Sequence, residues 1–275
     1  MARVKPADDL SEVKTLWPGE SDGLLKELHI LTRDGRLNQD SRRKLKQVLH
    51  LVQLLRPAVE DLLSRHEEPV IADLGAGKSY LGFILYDILL RQAARGRLIG
   101  IETRPALSAH SEALAQSFGF ARTSFITAPI AEARVAGPVH LVTALHACDT
   151  ATDDAIAFAL AHQAAYIALV PCCQAELARA LEGHGDHPLY QLWRHPLHRR
   201  ECASHLTNVL RGLWLETHGY KIRVTELTCL EHSMKNELIL AEKVQQRNGL
   251  AERALGALLA QLPARPQFLQ AFTAG

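Results

Sequence analysis

The alternation of short apolar runs with stretches of helical periodicity, which begins at residue 69, constrains the fold of this chain most strongly. Five of the apolar runs have the length and composition of strands: PVIADL, RLIGIE, RTSFITA, VHLVTAL and AAYIALV. Amphipathic stretches long enough to form helices follow the first, second and fourth runs. Strands connected by helices form βαβ units, so these strands are predicted to form a parallel sheet that is covered on both faces.

Two further strands are predicted after a connection of about fifty residues rich in His and Arg. They are KIRVTELTCL and NELILAEKV, and the polar turn EHSMKN between them indicates a hairpin. A long helix over ECASHLTNVLRGLWLETHG precedes them and is expected to end at Gly219. The fold class predicted is α/β: a doubly wound, Rossmann-like, seven-stranded and mostly parallel sheet with a terminal β-hairpin.

Both ends of the chain are predicted to be helical. In SRRKLKQVLHLVQLL the apolar residues recur at helical spacing, and Pro57 is expected to end that helix or to begin the next one. The predicted organisation is a helical N-terminal cap over residues 1–66, a Rossmann-like domain over 67–245 with a helical insertion at about 174–219, and a C-terminal helix and tail over 246–275.

The composition limits the cellular compartment and the kinds of partner that we expect for this protein. No apolar run approaches the ~18 residues of a membrane span, and the first thirty residues lack the apolar core of a secretory signal. The five cysteines are an odd number and two of them are adjacent, which argues against a disulfide framework. With a net charge of +1, the protein as a whole has no strong positive electrostatic potential that would attract nucleic acid. We expect a cytoplasmic protein with no membrane partner.

The segment Asp73-Leu74-Gly75-Ala76-Gly77 lies where the first strand ends and the first helix begins. Its glycines allow a tight turn and close approach of a ligand to the backbone, and the helix N-terminus favours a negative group. The spacing is neither that of a P-loop nor that of a full GxGxxG motif. Glu102 ends the second strand, where a carboxylate can accept hydrogen bonds from both hydroxyls of a ribose. A nucleotide site is therefore predicted, and NAD remains one alternative.

This arrangement, with an acid before the GxG turn, a second acid after strand two and a final hairpin, resembles class I S-adenosylmethionine-dependent methyltransferases. The resemblance implies S-adenosylmethionine as the cofactor. It puts the glycine turn under the methionine part, Glu102 at the ribose, and the loop that begins at Ala128 beside the adenine. The predicted cofactor contacts are Asp73, Gly75, Gly77, Lys78, Glu102, Pro129, Ile130, Leu145 and His146.

A second resemblance is carried by ALHACDTATDDA after strand four and LVPCCQAEL after strand five. The matching residues are His146, Cys148, Thr152, Asp153, Cys172 and Cys173. They are similar to a subgroup of class I methyltransferases that includes the eukaryotic tRNA 2′-O-methyltransferases with a Lys-His-Leu-Cys-Gly-x-x-Thr-Asp motif. Here Asp149 replaces the usual Gly, and Leu145 replaces the Lys before His. These departures weigh against a tRNA 2′-hydroxyl as the acceptor.

The catalytic candidates follow from where parallel strands end. Methyl transfer is a displacement that depends on alignment, and a base helps when the acceptor carries a proton. His146 is the first candidate for a base or positioning group, with Asp149 and Lys235, and also Glu231, behind it. The alternative is that His146 caps the strand end and touches only the cofactor.

The predicted substrate contacts lie in two basic or polar regions and at the adjacent cysteines. They are Arg42, Arg43, Lys44, Cys172, Cys173, His232 and Asn236. The adjacent cysteines can be a nucleophile, part of a metal site with His146, Cys148, Cys202 and His205, or pocket packing. The last interpretation is favoured, and no metal site is predicted.

The methyl acceptor is the least constrained part of the prediction. Basic residues gather near the start of the RRKLKQ helix and in RHPLHRRE, and they can follow a phosphate backbone or form a solvated face. Aromatic residues are only 5% of the chain, which gives little support for base stacking. We expect an RNA acceptor, tRNA or rRNA. The alternatives are a small molecule, a protein side chain, or a non-catalytic binding module.

Overall fold

The computed structural model describes residues 22–32, 39–145, 147, 149–171, 175–227 and 237–270, without the side chains of residues 22, 39–41, 43 and 44. The helices there are α1 (Asp22–Glu27), α2 (Gln39–Arg65), α3 (Tyr80–Leu85), α4 (Arg91–Ala93), α5 (Pro105–Ser117), α6 (Thr150–Ala161), α7 (Glu176–Ala180), α8 (Pro196–Thr217) and α9 (Gly249–Ala260). The strands are β1 (Val70–Leu74), β2 (Arg97–Glu102), β3 (Thr123–Thr127), β4 (Leu141–Ala144), β5 (Tyr166–Leu169), β6 (Tyr220–Glu226) and β7 (Glu237–Lys243).

All of these strands belong to one seven-stranded sheet in the order β3-β2-β1-β4-β5-β7-β6. Strands β1 to β5 run parallel, whereas β7 is antiparallel to both β5 and β6. The predicted fold class is therefore confirmed, including the antiparallel pairing of the last two strands. The strand order reverses between β1 and β4, which in open α/β sheets opens a crevice at the carboxyl ends of those strands.

Helix α2 differs from its prediction at Pro57. The helix neither ends nor restarts there but continues from Gln39 to Arg65. A proline removes the hydrogen bond to the carbonyl four residues earlier, here that of Gln53. Both Pro57 and Gln53 are exposed, so water can take the place of the missing donor. The opposite face of α2 is buried through Leu51, Leu55 and Leu62.

The N-terminal helices pack directly on the sheet. Leucines of α1 and α2 share one hydrophobic core with residues of β1, β4 and α3. The hydroxyl of Tyr166 in β5 also donates a hydrogen bond to Asp61 Oδ2 of α2 over 2.8 Å. A second core, on the other face, holds α6 and part of α8 against the sheet. The division of the chain at residue 66 stays a prediction.

Two helices deviate from simple periodicity. The segment predicted as one helix after β1 consists of α3, a π-helical turn over Tyr86–Leu90, and α4. Helix α8 begins at Pro196, five residues before its predicted start, because a proline is favourable in the first turn. Among the helices of the described ranges, none combines the length and hydrophobicity that a bilayer crossing requires.

Candidate functional site

A cavity of about 320 Å³ opens at the carboxyl end of β1, beside the crevice between β1 and β4. The glycine turn lines one side of the cavity, and residues of the N-terminal region line another. Its lining residues are Ile30, Gln47, Val48, Asp73, Gly75, Ala76, Gly77, Lys78, Tyr80, Leu81 and Leu145. Four predicted cofactor contacts on or next to the turn therefore line the cavity, together with Leu145, whereas Glu102 is not among its lining residues.

The glycine turn has the backbone geometry that its sequence predicts. Gly75 has φ 66° and Gly77 has φ 59°, in the left-handed region that residues with a Cβ rarely adopt. The N–H of Ala76 donates to the carbonyl of Ile101 over 3.0 Å, and the N–H of Gly77 donates to Glu102 Oε2 over 2.7 Å. These two bonds fix the turn to the end of β2.

Asp73 is a buried carboxyl group at the base of this turn. Its Oδ1 accepts a hydrogen bond from Thr143 Oγ1, on the neighbouring strand β4, over 2.8 Å. Burial raises the pKa of Asp73 to about 6, and the hydrogen bond from Thr143 only partly offsets that effect. The side chain is therefore close to its own titration point at neutral pH. An adjacent cation would favour its ionised form.

Glu102 is also buried, but its environment stabilises the charged form. Its Oε1 accepts from Arg104 Nε over 2.8 Å and from the Arg104 N–H over 3.0 Å, and its Oε2 accepts from Arg104 Nη2 over 3.1 Å. Burial alone would raise the pKa of Glu102. The hydrogen bonds from Arg104 and Gly77, with the charge of Arg104, outweigh burial and lower this pKa to about 2. Glu102 is therefore a carboxylate at any physiological pH.

Ser79 is a polar residue beneath the turn that the sequence analysis did not identify. Its side chain is buried, and its Oγ has no hydrogen-bond partner within the described ranges. It also has φ 56°, which is uncommon for a residue with a side chain. A buried unpaired hydroxyl is destabilising and needs a reason. The sequence signal available was a serine at the N-cap position of α3.

The loop predicted to lie beside the adenine does not line this cavity. Ala128 is half-buried and Pro129 is exposed, whereas Ile130 is buried in the second hydrophobic core. None of the three lines the cavity beside the glycine turn. Their assignment as cofactor contacts stays a prediction, and for Ile130 the packing explains the residue without a ligand.

Comparison with known proteins adds a family to this geometry. A sequence model of a family described as a methyltransferase domain matches residues 43–180, just over half of the chain. The chain belongs to this family. The match confirms the predicted enzyme class, a methyltransferase. No curated protein matches the sequence of the chain.

Several solved structures are similar to this methyltransferase at low identity. An S-adenosylhomocysteine-bound methyltransferase from Podospora anserina is 14% identical, with 89% of this chain and 100% of that chain covered and a TM-score of 0.49. Magnesium protoporphyrin IX methyltransferase from Synechocystis is 16% identical, with coverage of 86% and 100% and a TM-score of 0.47. An rRNA methylase from Streptococcus thermophilus is 12% identical, with coverage of 65% and 89% and a TM-score of 0.43.

Buried polar contacts hold the motif that follows β4 in place in this methyltransferase. Thr152 Oγ1 donates to the carbonyl of Ala147 over 2.6 Å, and Asp153 Oδ1 accepts from Arg211 Nε over 2.7 Å. The Arg211 side chain is 1% exposed, and its Nη2 also donates to the carbonyl of Asp149 over 2.8 Å. Arg211 was missed from the sequence because an arginine on an amphipathic helix resembles a surface residue. The Thr-Asp pair of the motif therefore has a structural role in this methyltransferase.

Asp149 occupies the position where the motif usually has glycine. Its φ of 53° and ψ of −122° lie in a region that favours glycine, which explains why glycine is usual there. The Asp149 carboxylate accepts a hydrogen bond from the N–H of Ala175 over 3.1 Å and a longer one from that of Glu176 over 3.4 Å. These contacts show that the Asp149 side chain binds backbone N–H groups at the start of α7. Its catalytic role stays a prediction.

The remaining predicted site residues are placed only in part. Arg42 is half-buried on α2, and the side chains of Arg43 and Lys44 lie outside the described part of the chain. The same holds for a set of predicted catalytic, substrate and motif residues: His146, Cys148, Cys172, Cys173, Glu231, His232, Lys235 and Asn236. Cys202 is half-buried and free, and burial raises the pKa of its thiol. Within the described ranges, no group of three or more His, Cys, Asp or Glu residues is arranged to hold a metal.

Proposed function

We propose that the cavity at the glycine turn binds S-adenosylmethionine and that the methyltransferase uses it to methylate RNA. The observation that carries the cofactor proposal is the bond from the N–H of Gly77, which lines the cavity, to the buried carboxylate of Glu102 at the end of β2. Bound S-adenosylmethionine supplies an electrophilic methyl group on a sulfonium.

The cavity and the carboxylate bonded to its glycine turn fit two polar parts of this cofactor. Asp73, buried and near its titration point, is suited to an ammonium group, which would favour its ionised form. Glu102, held ionised, is suited to the hydroxyls of a ribose. The backbone at Gly75 and Gly77 allows a ligand to approach closely. Ile30, Val48 and Leu145 exclude water from the remaining wall.

The cofactor proposal is tested by calorimetric titration of S-adenosylhomocysteine into wild-type protein, Glu102→Gln and the exposed control Glu60→Gln. We expect micromolar binding to the wild type and to the control. Loss of hydrogen bonds to a charged group predicts a Kd that is roughly 10- to 100-fold higher in Glu102→Gln. A wild type that binds neither S-adenosylhomocysteine nor S-adenosylmethionine contradicts the proposal.

The RNA proposal is supported by basic residues close to the cavity. Arg42, Arg43, Lys44 and Lys46 lie on α2 within six residues of Gln47 and Val48, which line the cavity. At 1.5 Å per helical residue, these positions lie within about 10 Å of the cavity along the axis. Lys78 is exposed at the cavity itself. Phosphate groups of an acceptor can therefore bind next to the methyl donor.

Salt dependence distinguishes RNA from other acceptors. Arg42/Arg43/Lys44→Ala should weaken RNA binding at least tenfold and lower the slope of log affinity against log salt by about 2, since each lost contact to a single strand removes about 0.7. The control Lys221/Arg223/Arg253→Ala removes three exposed positive charges elsewhere and should change neither value. Unchanged RNA binding and unchanged transfer of labelled methyl to RNA in the first variant would contradict the proposal.

One observation favours a small-molecule acceptor as the second candidate. Ile30, Val48, Leu81 and Leu145 make the surroundings of the proposed methyl donor apolar, and an acceptor that approaches along this wall would be a small apolar compound rather than a nucleotide chain. This candidate predicts methyl transfer that is insensitive to the charges at the start of α2.

A further inference from the structure

Glu102 already has as many hydrogen bonds as its carboxylate can accept. Its donors are the Gly77 N–H, the Thr103 hydroxyl, the Arg104 N–H and two nitrogens of the Arg104 guanidinium. These are five donors, whereas a carboxylate offers about four lone-pair positions. A ligand that needs both Glu102 oxygens must therefore displace a donor from each of them.

The guanidinium of Arg104 is the group that can leave. The N–H groups of Gly77 and Arg104 belong to backbone that is fixed by the glycine turn and by the first turn of α5. Rotation of the Thr103 hydroxyl alone removes one of three donors from Oε1 and leaves both oxygens fully occupied. The Arg104 guanidinium contacts both oxygens, through Nε and Nη2, and its side chain is 65% exposed. Its departure frees one position on Oε2 and leaves Oε1 with two donors, so that rotation of the Thr103 hydroxyl then frees one position on Oε1 as well.

We propose that Arg104 sets the affinity for the cofactor, because its guanidinium occupies the place of the ribose hydroxyls on Glu102 and must be displaced when the cofactor binds. The inference rests on the proposed cofactor site. A planar guanidinium offers two parallel donors to a carboxylate, which is also what two adjacent hydroxyls offer. Without cofactor, Arg104 neutralises a buried charge; with cofactor, the hydroxyls take over its hydrogen bonds.

The test compares S-adenosylhomocysteine binding to wild type, Arg104→Met and the control Arg97→Met, which changes an exposed arginine at the opposite end of β2. Because Arg104→Met removes the competitor, its Kd should be about 3- to 10-fold lower than that of wild type. Raising the salt concentration weakens the ion pair, so the wild-type Kd should fall with salt while that of Arg104→Met stays flat. Arg97→Met should behave as wild type.

Thermal unfolding separates displacement from other roles of Arg104. The free Arg104→Met protein should unfold at a lower temperature, because Glu102 loses a partner, and S-adenosylhomocysteine should raise its Tm by more than it raises that of wild type. A Kd in Arg104→Met that is equal to or higher than that of wild type would overturn the inference. If the wild type binds S-adenosylhomocysteine and Glu102→Gln binds it more weakly, the cofactor site is supported even when the Arg104→Met result overturns the inference. A wild type that does not bind overturns both proposals.

Discussion

At the scale of single residues, burial of the Asp73 carboxyl group lowers the stability of the protein as the pH rises. The folded protein holds the Asp73 proton more tightly than the unfolded chain, with a pKa of about 6 against 3.8. The unfolded chain therefore binds fewer protons between these values, so stability falls as pH rises through this window, by roughly 3 kcal/mol in total. Asp73→Asn keeps an acceptor for Thr143 and cannot ionise. We expect this variant to lose the fall between pH 4 and 6 and to be more stable than wild type at pH 7 in urea unfolding, while binding S-adenosylhomocysteine more weakly. Asp186→Asn, at an exposed site, should keep the wild-type pH profile, and the same profile in Asp73→Asn would refute the assignment.

At the scale of elements, Arg211 connects α8 to α6 and to the segment after β4. Its guanidinium contacts Asp153, the carbonyl of Asp149 and Asn208, and Asn208 Nδ2 in turn donates to Glu237 of β7 over 3.0 Å. Arg211→Met leaves the Asp153 carboxylate buried without its partner, so we expect a loss of about 3–5 kcal/mol in the free energy of unfolding. Arg200→Met, an exposed arginine of the same helix, should cost at most about 1 kcal/mol. In the double variant Asp153→Leu/Arg211→Met, much of the stability should return, because the uncompensated charge is gone. A double variant no more stable than Arg211→Met alone would contradict this account.

At the scale of the whole molecule, the core shared by the N-terminal helices and the sheet predicts that they unfold as one cooperative unit. Leu45, Leu55 and Leu62 of α2 are nearly fully buried in the core that also contains Ile71 of β1 and Leu141 of β4. Removing α2 would expose that face of the sheet to water, so its opening should require global unfolding. We expect hydrogen exchange of the amides over residues 51–63 to be as strongly protected as that of β1 and β4, when followed by mass spectrometry. Rapid exchange in α2 with a protected sheet would show that these helices open independently.

Most of the sheet could be predicted because local patterns determine it. Apolar runs such as RLIGIE give the bounds of β2 without error, and the two acids and two glycines of the site stand at strand ends that the pattern identifies. The hairpin of β6 and β7 followed from two strands separated by a short polar turn. These features depend on residues that are close together in the sequence.

What could not be predicted depends on contacts between distant residues. Ile30 and Val48 line the cavity only because α1 and α2 fold back onto β1, and no local pattern indicates that packing. The pair of Arg211 and Asp153 joins residues 58 positions apart. The continuation of α2 through Pro57 depends on which side of the helix faces solvent, and that is decided by the sheet.

The π-helical turn over Tyr86–Leu90 is a point where the chain could lose one residue without a change in the phase of the helix. Its hydrogen bonds span five residues instead of four, so the turn holds one residue more than an α-helical turn. Deleting one residue there would restore ordinary helical spacing and leave Phe83 and Leu90 facing the same core. The same deletion within α2 would rotate every following residue by about 100° and expose its buried face. A single-residue gap at Tyr86–Leu90 therefore removes one buried side chain but keeps the helix in phase, whereas in α2 it also changes the phase of the helix.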